Sequence, residues 1–305
     1  MSPGSSRLFC SDEARRERDP LPGTASRATR WVAIEVPPPW GRRAVEEDPV
    51  ADDLRAWIDR VQQEVPTARV VFVHRPDRAT GTCRVYVAGA EERRQVLRGG
   101  ELGGPSEIAR RLPVEGLDTL DVDLPVVGNP LLLVCGNARR DRCCARRGLP
   151  VFDAVQARPG GVDAWLSTHL GGHRHAAVAL VLPLGIQYGF LSAEDVPGLL
   201  RATVAGELLL DHFRGRTFYP PVVQAADVFV RRELGLTEAG AVRWRPVASD
   251  LANGAVSLAV GEEIYRVIVR QTPRDALVSC GPPKHKEIQE ISLEEIGRER
   301  QEVSR

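Results

Sequence analysis

The run LLLVC at residues 131–135 constrains this chain most tightly. Its aliphatic residues read as a strand buried in a core, and that strand delivers Cys135 to its end. A polar and basic loop then leads to the adjacent pair Cys143 and Cys144, and the segment continues as a helix through about residue 157. Residues 176–182 (AAVALVL) and 186–190 (IQYGF) read as a hairpin turned at 183–185. Residues 195–212 form a helix with Leu199, Leu200, Val204, Leu208 and Leu209 on one face.

The same rhythm precedes this unit. Residues 31–36 (WVAIEV) read as a buried strand ended by Pro37, Pro38 and Pro39. Asp48 caps a helix that accepts Pro49 in its first turn and runs to about residue 65, with Val50, Leu54, Trp57, Ile58 and Val61 at helical spacing. Residues 69–74 and 83–87 are strands, and a glycine-rich link at 99–104 leads to a further strand at 117–124. The order β-α-β-β-α of the later unit is the thioredoxin order, and the earlier unit reads as a degenerate copy. The expected fold is therefore α/β, in five parts. They are a flexible arm (1–29), an N-terminal thioredoxin-like unit without ligands (30–125), a second thioredoxin-like unit (126–218), a C-terminal helix-plus-antiparallel-strand segment (219–283) and a charged tail (284–305). In the fourth part, a helix from Pro221 to residue 234 precedes alternating stretches at 241–247, 255–260 and 265–271; in the tail, 288–303 reads as a helix with sparse apolar positions.

Lys plus Arg (41) equals Asp plus Glu (41), which argues against a nucleic-acid or membrane-surface role. The longest apolar run spans nine residues, 176–184, and contains a proline, well short of a membrane span. The first residues are charged where a signal peptide needs an apolar stretch, so the expected compartment is the cytoplasm. Six cysteines in 305 residues are too few for a disulfide scaffold and point to metal or redox chemistry.

That chemistry centres on Cys135, the Cys143–Cys144 pair, and His169 and His173 in THLGGHRH. Histidines separated by three residues can meet one metal centre from a helix turn or a tight loop. Gly171 and Gly172 between them let backbone approach a bulky ligand. Two thiolates and two imidazoles complete a four-donor set, suited to a [2Fe–2S] cluster with sulfur ligands on one iron and nitrogen ligands on the other. Such an imidazole keeps a second nitrogen that can titrate, which predicts proton-coupled reduction. A structural zinc module is the first rival, although zinc knuckles space their cysteines by two to four residues rather than eight. A thioredoxin-like thiol oxidoreductase is the second, but its C-x-x-C motif is absent.

At these residues the chain resembles the sucrase/ferredoxin-like family, which is similar to thioredoxin-like [2Fe–2S] ferredoxins and to the yeast actin-patch-distal protein. The resemblance rests on LLLVC-x8-C with RRD-x2-C, THLGGHR-x-A, LVLP-x-G and YG-x-L. It extends to DPLPGTA (19–25), Trp31, PWG (39–41), PPVVQAA (220–226) and SCGP (279–282). It implies a soluble electron carrier with no substrate of its own and a [2Fe–2S] cluster on Cys135, Cys144, His169 and His173. Counting from Arg140 and Asp141 places the second cysteine on Cys144, with Cys143 as the alternative ligand. Arg140 and Asp141 belong to the signature and are expected to support the cluster.

The remaining candidates read plainly. Cys10, Cys83 and Cys280 are expected to be unliganded thiols, His175 a surface or strand residue, and His74, His212 and His285 structural or exposed. Arg139, Arg140, Arg142, Arg146 and Arg147 form a basic loop that is either simply solvated or steers an acidic redox partner. No glycine-rich stretch fits a dinucleotide or Walker loop, so electrons would come from a separate reductase and pass to a separate acceptor protein.

Overall fold

The computed structural model describes residues 9–78, 81–158, 160–247, 250–280 and 283–299. The first unit begins with helix α1 (Cys10–Arg16) and strand β1 (Arg30–Glu35). Helices α2 (Ala44–Glu47) and α3 (Asp52–Glu64), strands β2 (Ala68–His74), β3 (Cys83–Ala90) and β4 (Gln95–Leu102), and short helices α4 (Ile108–Arg111) and α5 (Val114–Thr119) follow. The second unit holds β5 (Leu131–Cys135), α6 (Arg142–Gln156), β6 (Asp163–Ser167), β7 (Ala179–Leu182), β8 (Ile186–Tyr188), α7 (Val196–Ala205) and β9 (Phe213–Arg216).

Among the described residues these strands form one nine-stranded sheet in the order β4-β3-β1-β2-β6-β5-β7-β8-β9. In the first half β1 pairs parallel with β2 and antiparallel with β3; in the second, β5 pairs parallel with β6 and antiparallel with β7. Each half thus carries the thioredoxin strand order, and the halves meet where β2 and β6 pair antiparallel through Val73↔Ser167 and His74↔Leu166. The continuous apolar run of β5 follows from this position: it lies inside the sheet and is buried along its whole length. Helix α3 turns Leu54, Trp57, Ile58 and Val61 inward, as their spacing requires. Asp48 does not cap it; that carboxylate accepts the Gly41 N–H at 2.8 Å and fixes the PWG turn.

Helix α8 (Pro221–Leu234) then packs on a second sheet of four antiparallel strands, β10 (Val242–Arg245), β11 (Ala255–Val260), β12 (Glu263–Cys280) and β13 (Pro283–Arg298). Val223, Ala226 and Val230 of the helix meet Val256, Leu258 and Val267 of the strands.

Several expectations are corrected. Residues 9–29, read as part of a flexible arm, are packed: α1 buries Cys10, Ser11 and Ala14, and Asp19 is ion-paired to Arg174 and Arg274. Residues 1–8 of that arm lie outside the described residues. Of the strand expected at 117–124, residues 117–119 end α5 and 120–124 are irregular, and the glycine-rich link at 99–104 lies largely in β4, where Gly99 leaves room for the Tyr86 ring. The helix expected at 288–303 is strand β13, although 300–303 lie outside the described residues. Its pairing shifts register opposite Ile268 and Val269, and that bulge breaks the alternation by which a strand is recognised. Strand β6 was not foreseen, and it supplies the parallel partner of β5.

Candidate metal centre

The second unit brings its chemistry to the carboxyl ends of β5 and β6. Cys135 is the last residue of β5, and the chain leaves β6 at Ser167 to enter the histidine loop. Helix α6 starts beside them because Asp141 caps it, accepting the Cys143 N–H at 2.9 Å. Gly148 lets this helix lie directly on β5: a Cβ there would overlap the Cys135 carbonyl oxygen.

Cys135 Sγ, Cys144 Sγ and His169 Nδ1 converge within 4.8 Å of one another. His169 Nδ1 lies 4.0 Å from the Cys135 sulfur and 3.7 Å from that of Cys144. The His173 ring stands beside this group, its centroid 5.4 Å from that of His169. Its Nδ1 faces elsewhere, 3.2 Å from Asp141 Oδ2 and 3.4 Å from Cys10 Sγ. The contact with the Cys144 thiol, with a smaller contribution from His169, holds the buried Cys135 thiol well below the ordinary range, which favours the thiolate. Burial lowers the His173 imidazole against the opposing pull of Asp141, which favours the neutral ring that metals bind. The Cys135–Cys144 contact, with burial, pushes the Cys144 thiol well above the ordinary range, so the two sulfurs keep one proton between them, which metal binding would release. The donor set suits a thiophilic metal centre with mixed sulfur and nitrogen ligation.

The histidine loop is held by residues far away in sequence. The Leu170 carbonyl accepts from Ser26 Oγ at 2.8 Å and Gln187 Nε2 at 2.9 Å, while Arg69 reaches the carbonyls of both His169 and Leu170 at 3.3 Å. Arg214, 1% exposed, donates to the Gly171 carbonyl at 3.1 Å and to Thr24. A Cβ on Gly171 would meet Ser26 Oγ and one on Gly172 would meet the Arg214 guanidinium, and both glycines have positive φ. Among the described residues, the groups that crowd these glycines are thus other parts of the protein.

Cys143, the alternative ligand, points away from His169. Its sulfur lies 3.0 Å from Cys280 Sγ and 3.7 Å from Cys10 Sγ, and Cys10 and Cys280 are 3.3 Å apart. These three thiols and Asp141 form a second convergent group. Cys10 and Cys280, read as unliganded and unrelated, were missed. The available signal was the doublet itself: neighbouring residues on a helix point about 100° apart, so Cys143 and Cys144 need two destinations.

The basic loop divides. Arg146 and Arg147 pair with Asp12 at 2.6 Å, and Arg142 donates to the Cys280 carbonyl at 2.8 Å. Arg140 instead borders a cleft of about 230 Å³ with Arg42, Arg43, Arg69 and His169. His175 is buried, not on the surface, with its ring edge-on to Phe190 at 5.3 Å. Burial first, and Arg214 second, drive its imidazole well below the ordinary value, so it is a neutral core residue. His212 Nε2 faces Asp195 at 3.3 Å, and the exposed His285 faces Asp275 at 2.7 Å.

A thioredoxin-like sheet with a buried thiolate–imidazole pocket at the ends of two parallel strands defines the class of this protein. The chain belongs to the sucrase/ferredoxin-like family, whose match covers residues 21–215. Over 99 residues it is 30% identical to Altered inheritance of mitochondria protein 32 of Debaryomyces hansenii; the match takes in 29% of this chain and spans only 36% of that protein's length. A thioredoxin-like [2Fe–2S] ferredoxin from Aquifex aeolicus aligns over 31% of this chain and 97% of its own, with 20% identity and a TM-score of 0.27. Among the described residues no helix is long and apolar enough to cross a membrane.

Proposed function

We propose that this protein is a one-electron carrier whose pocket binds a [2Fe–2S] cluster through Cys135, Cys144, His169 and His173. The observation that carries this reading is the convergence of two buried thiols and one imidazole from three separate elements, with a second imidazole alongside. His173 Nδ1 faces Cys10 Sγ, its hydrogen-bond partner at 3.4 Å, and the Asp141 carboxylate at 3.2 Å, which leaves Nε2 free to ligate; a carboxylate behind a ligating histidine is a common support for metal sites. The bound cluster would supply reversible one-electron chemistry at a potential raised by its two neutral ligands. The protein's own groups exclude water, hold the donors in place and keep one imidazole nitrogen in contact with a carboxylate. Loss of the proton on that nitrogen in the oxidised form, and its return on reduction, would couple electron uptake to proton uptake, with a limit of about 59 mV per pH unit.

Beside His169, Arg42, Arg43 and Arg140 outnumber Glu46 around the cleft, which gives it a net basic rim suited to an acidic redox partner. A reductase and an acceptor protein are both required in this reading. The test is anaerobic purification of the full chain, followed by iron and sulfide assays and electron paramagnetic resonance of the reduced form. Two irons and two sulfides per chain, with a signal that His169→Ala removes, are expected. A colourless protein with zinc in this pocket would overturn the proposal.

A further inference from the structure

We propose that Cys10, Cys143, Cys280 and Asp141 form a second metal site, one that takes a zinc ion on three thiolates and a carboxylate. The donors come from three distant parts of the chain: the start of α1, the start of α6 and the end of β12. Each is almost fully buried, at 0% exposure for Cys10 and Cys143, 3% for Cys280 and 4% for Asp141. Phe9, Ala176 and Leu277 close over them. Zinc–sulfur bonds of about 2.3 Å at tetrahedral angles set sulfurs about 3.8 Å apart. The Cys10–Cys143 separation of 3.7 Å already matches, and the other two, 3.3 and 3.0 Å, need to open by under an ångström.

The surroundings are built for sulfur that carries charge. The Cys10 N–H donates to Cys280 Sγ at 3.1 Å, and Ser11 donates to Cys143 Sγ through its hydroxyl at 3.1 Å and its N–H at 3.5 Å. Asp141 is fixed by the N–H groups of Cys143 at 2.9 Å and Cys280 at 3.0 Å. Such contacts orient ligands and stabilise thiolates. Three thiols cannot all be satisfied by one disulfide, whereas one tetrahedral ion uses all three together with the carboxylate. Zinc is the fitting choice because thiolate donors in tetrahedral array select it. The ion would tie α1 and the end of β12 to the helix that carries Cys144, through ligands that are not those of the cluster pocket.

The full-length chain, grown with zinc and iron and purified anaerobically, is assayed for both metals by mass spectrometry. About one zinc per chain beyond the iron of the cluster pocket is expected. Cys10→Ala and Cys280→Ala should each lower zinc at least about tenfold. Because Cys280 touches no cluster ligand, Cys280→Ala should leave iron and the visible spectrum in place, and Cys83→Ala should lower neither metal. Loss of iron with zinc retained would instead count against the cluster alone. Wild-type protein without zinc, a Cys143–Cys280 disulfide found by alkylation and peptide mapping, or more than two irons per chain would overturn the second site. Should the alanine variants fail to fold, the wild-type zinc content decides by itself.

Discussion

Nδ1 of His173 lies 3.2 Å from Oδ2 of Asp141, a carboxylate that also caps α6 and accepts the N–H of Cys280. One side chain therefore couples the histidine loop, the cysteine helix and the end of β12. Asp141→Ala removes a helix cap, at a cost of about 1 kcal/mol, and leaves the buried Cys280 N–H unpaired, at about 1–3 kcal/mol more. It also frees the His173 ring, which should weaken metal retention about 10- to 100-fold. Urea unfolding and iron content after challenge with a chelator measure the two effects. Unchanged iron retention in a folded variant would remove Asp141 as a positioning residue for His173.

Helix α6 depends on the bare Cα of Gly148, since a side chain there overlaps the backbone oxygen of Cys135. Backbone cannot swing aside as a flexible side chain can, so Gly148→Ala must push α6 off β5. The expected loss is about 1–3 kcal/mol of stability, as in other overpacked cores. Cys144 would move with the helix while Cys135 stays with the sheet, so the iron content should fall together with the denaturation midpoint. A variant with wild-type iron content would show that the two thiols need not be held at this spacing.

Much of this architecture was legible because its determinants are local. The apolar run before Cys135, the inward positions of α3 and the hairpin of β7 and β8 follow from periodicity within one element. Strand β6 was not, because DAWLS is five residues long and has polar ends. Its place is set by pairing with β5, a property of the sheet and not of the segment. The same limit hid the second thiol group. Cys10 lies 133 residues from Cys143, and Cys143 lies 137 from Cys280, so no spacing rule joins them. DPLPGTA and PPVVQAA were recognisable as signatures without an evident reason. The structure supplies one: the Gln224 side chain accepts the Ala25 N–H at 3.1 Å and donates to the Ala25 carbonyl at 3.2 Å, which fastens the segment under the histidine loop.

Cys83 lies apart from both thiol groups, buried in β3, and donates to the Glu35 carbonyl at 3.4 Å. Burial first, and the charge of Glu35 second, push its thiol from 9.0 up to about 12. The folded value is thus raised above the unfolded one, so the stability this thiol contributes is complete below pH 9 and is lost as pH rises toward 12. At pH 9 about one native molecule in a thousand should carry this thiolate, against about half of unfolded molecules. Alkylation of Cys83 by iodoacetamide at pH 9 should then be about 500-fold slower in native protein than in urea. Comparable rates would mean that the strand opens readily or that burial does not protect the proton.

Arg214 lies beneath the histidine loop as a buried cation without a carboxylate partner among the described residues. Burial, reinforced by the charge of Arg69, lowers its guanidinium from the ordinary range, yet the group keeps its charge by donating to Gly171 and Thr24. Arg214→Met fills the space but leaves the half-buried Gly171 and Thr24 oxygens without their donor, at about 0.5–1.5 kcal/mol for each lost bond. Arg214→Lys keeps the charge yet lacks the planar fork that reaches separate acceptors, so it should rescue only part of the loss. Because these bonds fix the loop between His169 and His173, both variants should also release metal faster than wild type. Denaturation midpoints and rates of iron release under a chelator provide the comparison. Equal stability of the Met variant and wild type would show that the loop is held without Arg214, by Ser26, Arg69 and Gln187 alone.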